Sequence, residues 1–92
     1  MDKTIRRKVK VASPHGLHAR PSHGIVAMVS RADAKVTLIV DGREADACSI
    51  LSVMALGATT GTEVSLEASG QEAKLILDRL VEFFKSGFEE DK

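Results

Sequence analysis

The sequence predicts an α+β domain in which a four-stranded, mainly antiparallel sheet is covered on one face by three helices. Three observations carry that expectation. Short stretches alternate apolar and polar residues, the period of a half-buried strand. Others repeat their apolar residues every three to four positions, the period of an amphipathic helix. And 92 residues make a single domain spanning 1–92, large enough for one modest core without metals or disulfides. Strands with one apolar face need one covering layer, and helices supply it.

The elements follow in order. Residues 4–12 alternate, with Ile5, Val9 and Val11 on one face, Arg6, Lys8 and Lys10 on the other, and Arg7 breaking the apolar side. Ser13-Pro14-His15-Gly16 is a turn cluster that stops this strand. Residues 19–31 form a helix, since Ser22, Ile25, Val26 and Val29 make one stripe and Pro21 suits a first turn. Gly24 inside it is unfavourable by about 1 kcal/mol against Ala and suggests close packing or a backbone approach. Residues 35–40 are the second strand, with Val36, Leu38 and Val40 inward, and Asp41-Gly42 turns it into a weaker third, Arg43 to Ala47. Ser49 reads as the N-cap of a short helix over 50–56, closed by Gly57. After the turn at Thr60-Gly61-Thr62, Val64, Leu66 and Ala68 mark the fourth strand. Ser69-Gly-Gln-Glu72 has the spacing of a capping box. It introduces a helix with a stripe of Ala73, Ile76, Leu77, Leu80, Val81 and Phe84, ended by Gly87.

Composition narrows function. Thirteen Lys plus Arg balance thirteen Asp plus Glu, and three Phe stand with no Trp or Tyr. That argues against nucleic acid, whose partners carry basic excess and stacking aromatics. Lys3, Arg6, Arg7, Lys8 and Lys10 crowd one end and Glu89, Glu90 and Asp91 the other; they read as a solvated strand face and an acidic tail. Cys48 is the only cysteine, so no intramolecular disulfide forms and a reducing compartment is expected. Nothing resembles a signal region or a membrane span. A cytoplasmic location, without membrane insertion, is the expectation.

The chemistry concentrates in Gly16-Leu17-His18-Ala19-Arg20-Pro21. His18 falls at the N-cap of the first helix, where Ser, Thr, Asp, Asn and Gly are preferred, and a broken local rule at a helix start points to function. The first turn offers unpaired N–H groups, those of Ala19 and Arg20, at the positive end of the helix dipole, a setting suited to phosphate. Arg20 adds a planar, always-charged donor fork. A nucleophilic imidazole, a charge clamp and a backbone cradle together are what phosphoryl transfer asks of a protein. On these residues alone, an ordinary surface histidine near a turn remains open. So does a metal site from His15, His18, His23 and Cys48, against which stands the lack of any paired cysteine motif.

The segment 16–21 resembles the active-site motif of the HPr family, the histidine phosphocarriers of the bacterial phosphotransferase system. Ser49-Ile-Leu-Ser-Val-Met54 resembles that family's second signature, and the two motifs at this separation are specific together. The resemblance implies an open-faced β-sandwich of order βαββαβα. It implies a carrier rather than an enzyme, with no cofactor and no metal. His18 then matches the histidine that Enzyme I, charged by phosphoenolpyruvate, phosphorylates at Nδ1, before the group passes to an EIIA-type protein. Arg20 matches the arginine beside the phosphohistidine. Ile50, Leu51 and Met54 match the apolar residues that partners grip, and Leu17 and His23 are expected near that docking face. Ser49 matches a serine that a dedicated kinase modifies in some bacteria, and its role as helix cap stands equally open. Cys48 and Ser52 depart from that kinase-regulated pattern, and His23 and Gly24 stand where the family usually has small polar or aliphatic residues. The C-terminal Phe84–Asp91 stretch and residues 44–49 are similar to the nitrogen-branch paralogue NPr, whereas the short hairpin and Ser49–Met54 are closer to HPr. Both branches stay open. A monomer is expected, and the alternative function is an interaction domain controlled at Ser49 without phosphoryl relay.

Overall fold

The structure is a computed structural model that describes residues 4–88; Lys3 and the acidic tail from Glu89 lie outside the described residues. Its elements are β1 (Ile5–Lys10), α1 (Ala19–Ser30), β2 (Lys35–Val40), β3 (Arg43–Asp46), α2 (Ile50–Ala55), β4 (Glu63–Ser69) and α3 (Ala73–Lys85). This is the expected order, in an open sheet. The strands lie β1-β4-β2-β3, every neighbour antiparallel, so β4 slots between β1 and β2. Beyond β1, Val11 still pairs: its N–H donates to the Thr62 carbonyl at 3.0 Å and its carbonyl accepts from the Gly61 amide at 2.8 Å.

Alternation decides which face is dry. Val9, Val36, Leu38, Val40, Ala45, Val64, Leu66 and Ala68 are buried on the helix side. On the open face Arg6 lies opposite Glu67 and pairs with it at 2.6 Å. Arg7, which interrupts the apolar side of β1, sends its guanidinium to Asp78 of α3 at 3.9 Å. A long side chain at the sheet margin thus shares the apolar face while its charge stays solvated. Above this surface α3 covers β1 and β4, α2 packs on β3, and α1 touches both other helices.

α1 buries Pro21, Ser22, Gly24, Ile25 and Val29, with Val26 only half-buried. The capping box expected before α3 does not form. Ser69 stays in β4, opposite Lys35, and Glu72 holds the N-cap position without a side-chain cap bond. Instead Glu72 clamps the chain before β2: its amide donates to the Asp33 carbonyl at 2.9 Å, and its Oε1 accepts from the Asp33 amide at 2.8 Å. Gly70 makes this approach possible, since a Cβ there would stand 2.9 Å from the Ala34 Cα.

The buried stripe of α3 also differs from expectation. Phe83 is buried and Val81 only half-buried. The cause is a Schellman ending. The Phe88 amide donates to the Phe83 carbonyl at 2.9 Å and the Gly87 amide to the Phe84 carbonyl at 3.1 Å. That reversal stacks the Phe88 ring edge-on against Phe83 and Phe84, with centroids 5.2 and 4.9 Å apart.

Candidate functional site

The loop before α1 is fixed by its backbone. The Ser13 carbonyl accepts from the Gly16 amide at 3.1 Å and from Thr60 Oγ1 at 2.6 Å, while Ser13 Oγ accepts from the His15 amide at 3.3 Å. Gly16 has φ +68°, and a Cβ there would stand 2.6 Å from the Ala58 carbonyl oxygen. Only glycine fits both the left-handed turn and the close approach. The next residue, Leu17, donates its amide to that same Ala58 carbonyl at 2.9 Å. Its side chain is 5% exposed and belongs to the core. This corrects the expectation that Leu17 faces a partner: it anchors the loop from beneath.

His18 therefore emerges from a pinned segment. It is the N-cap of α1, extended at φ −86° and ψ −170°, with no side-chain cap hydrogen bond, and it is exposed. Its carbonyl accepts twice from buried Ser22, from the amide at 3.1 Å and from Oγ at 2.8 Å. The backbone is thus held while the imidazole is left to solvent. The amides of Ala19 and Arg20 find no carbonyl acceptor among the described residues, and Pro21 has none to offer. Two donors at the positive end of α1 stand beside the exposed ring, a built setting for an anion. The Arg20 side chain is exposed, with no carboxylate within ion-pair distance among the described residues. The His15 ring lies edge-on to His18, centroids 5.8 Å apart.

The second candidate segment meets the first through the Leu17–Ala58 bond, just past the end of α2. Ser49 caps α2 as expected, its Oγ accepting from the Ser52 amide at 3.2 Å. At the other end the guanidinium of Arg43 donates to the carbonyls of Ala55 and Leu56 at 3.4 and 2.7 Å, a cation where the helix dipole favours one. Val53 and Leu56 are buried, Ile50 is half-buried, and Leu51 and Met54 are 80% and 37% exposed. One face of a single-sided helix suffices for the core, and the rest remains outside. His23 is exposed and, with Gly24, Ala27 and Met28, lines a groove of about 740 Å³ between α1 and α3. Cys48 is exposed, its amide held by Asp46 Oδ1 at 2.9 Å. Among the described residues no three of His, Cys, Asp and Glu cluster to hold a metal ion, and no helix is long and apolar enough to cross a membrane.

Sequence reasoning missed Ser22 as the double anchor of His18, although a serine four residues after an N-cap is the available signal. It also missed Thr60 and Ala58, which reach the loop from more than forty residues away and leave no local mark.

Comparison with known proteins bears on family and fold. The family model PTS-HPr, described as the PTS HPr component phosphorylation site, matches residues 5–86. The phosphocarrier protein NPr of Escherichia coli K12 is 33% identical over 89 residues, 96% of this chain and 99% of that one. The phosphocarrier protein HPr of Treponema pallidum is 36% identical over 87 residues, 95% of this chain and 99% of that one. Among solved structures, HPr-C-His from Thermoanaerobacter tengcongensis superposes with a TM-score of 0.88 at 28% identity, covering 96% of this chain and 99% of that one.

Proposed function

We propose a function from one premise: this chain belongs to the HPr family and is a phosphocarrier protein of the phosphotransferase system. His18 is the residue that carries the phosphoryl group, taking it at Nδ1 from Enzyme I and handing it to an EIIA-type protein. The observation that supports this most is an exposed imidazole at the N-cap of α1 beside two amides without a partner among the described residues.

The chemistry follows from that placement. A neutral ring nitrogen attacks the donor's phosphorus; the new P–N bond forms as the bond to the donor breaks, and the donor keeps the electron pair. The amides of Ala19 and Arg20 and the Arg20 guanidinium take up charge on the phosphoryl oxygens, the main protein contribution in a step governed by position and electrostatics. Release reverses the sequence with the acceptor as nucleophile. Leu51 and Met54 give each partner an apolar foothold near the reacting ring, in a small interface suited to transient contact. Ser49, whose hydroxyl already accepts the Ser52 amide, is assigned the role of cap.

The test is phosphorylation by phosphoenolpyruvate with either the carbohydrate-branch or the nitrogen-branch Enzyme I, followed by intact mass. One added phosphoryl group is expected, absent in His18→Ala, lost in acid and kept in alkali as a phosphoramidate is. The faster donor identifies the branch. An acid-stable product, or labelling that survives His18→Ala, would move the modification to Ser49 and overturn the relay.

A further inference from the structure

We propose that His15 is a second phosphoryl-binding group: when charged, its ring donates a hydrogen bond to the phosphoryl group on His18, so the carrier holds its cargo more tightly at lower pH. The inference rests on the reading of His18 given above and adds a residue and a condition to it.

Geometry comes first. The two rings are edge-on with centroids 5.8 Å apart. That separation leaves room for an oxygen of a phosphoryl group on one ring to reach a nitrogen of the other when the two nitrogens face each other. The arrangement has a fixed origin on both sides. The His15 amide is tied to Ser13 Oγ, and Ser13 in turn to Gly16 and Thr60. His18 is tied through its carbonyl to Ser22.

Charge comes second. The ionisable groups around His15 are few. From α1 come His18 and Arg20, and the packed loop 58–62 is Ala-Thr-Thr-Gly-Thr and carries none. Beyond that loop Glu63, at the start of β4, lies opposite Lys10 of β1. No carboxylate is within ion-pair distance of His15 among the described residues. In the unphosphorylated protein a charged His15 therefore has no anionic partner among the described residues. Phosphorylation of His18 supplies the missing anion, and a charged imidazole is then a stronger donor than a neutral one.

The sign follows by linkage. The phosphorylated form binds the His15 proton more tightly than the free form. Protonation therefore favours phosphorylation, and the advantage disappears as pH rises through the range in which an imidazole loses its charge. No bond is made or broken by His15. It exchanges a proton with solvent and contacts the transferred group.

The experiment measures the equilibrium distribution of the phosphoryl group between Enzyme I and this protein from pH 5.5 to 8.5. Wild type, His15→Asn and His15→Lys are compared with the same donor, whose own titration cancels in the ratio. Wild type should hold the phosphoryl group about two- to fivefold better than His15→Asn at the acid end, the size of an exposed charge pair, and equally at the alkaline end. His15→Lys should keep the advantage throughout. In parallel, the His15 ring titration followed by NMR should move to higher pH on phosphorylation. Identical pH profiles for wild type and His15→Asn, with His18 labelled normally, overturn this inference and leave the carrier reading intact. Absence of labelling at His18 in wild type overturns both.

Discussion

The starts of α1 and α2 are built from the same rule with opposite outcomes. At α2 the N-cap is Ser49, its hydroxyl accepts the Ser52 amide, and the helix start is satisfied from within. At α1 the N-cap is His18, its side chain does not cap the turn, and the amides of Ala19 and Arg20 have no partner among the described residues. One helix start is left incomplete from within, which suits the phosphoryl group proposed above, while its neighbour completes itself. Both helices make the first backbone bond to their N-cap carbonyl, Ser22 to His18 and Val53 to Ser49, and α1 adds one more from the buried Ser22 Oγ.

Three substitutions test that contrast. The largest effect is expected from Gly16→Ala. A Cβ at φ +68° and 2.6 Å from a carbonyl oxygen should destabilise the fold by roughly 2–4 kcal/mol and displace His18. Chemical denaturation would show the loss and phosphorylation rate the displacement; a variant as stable as wild type would mean that the loop is not pinned. Next, Ser49→Ala removes a working cap and should lower stability by about 1 kcal/mol, with labelling at His18 retained. The smallest change has the opposite sign. His18→Asp supplies a cap and an anion to the open start of α1. Because Pro21 offers no amide, the gain should be only about 0.5–1 kcal/mol, accompanied by complete loss of labelling. A thermal melt at or below that of wild type would show that the α1 start is satisfied some other way.

How far the sequence could be read depended on the range of the forces involved. β2 is read at its observed bounds because Val36, Leu38 and Val40 alternate without interruption, and Ser49 is read as a cap because capping is settled within three residues. The place of His18 at the N-cap of α1 was legible for the same reason, since it departs from a rule that is itself local. Long-range bonds were not. Ser69 and Glu72 have the spacing of a capping box, yet each is claimed by a distant strand or turn, Ser69 opposite Lys35 and Glu72 by Asp33. Leu17 was misplaced because nothing next to it in the chain reveals that Ala58 draws its backbone inward. Phe83 joined the core only through the reversal that carries Phe88 back over it.

The two hydrogen bonds that Ser22 donates to the His18 carbonyl have a consequence for timing. A relay station is visited alternately by two different proteins, and a flexible loop would have to be ordered afresh at every visit. Here His18, the residue proposed to react, loses its backbone freedom when the chain folds. Each encounter then begins with the imidazole already at a known place, and neither visitor's binding free energy is diverted to arranging it. Rapid turnover of weakly bound partners is what such a station needs, and a buried serine bonded to its backbone helps to supply it.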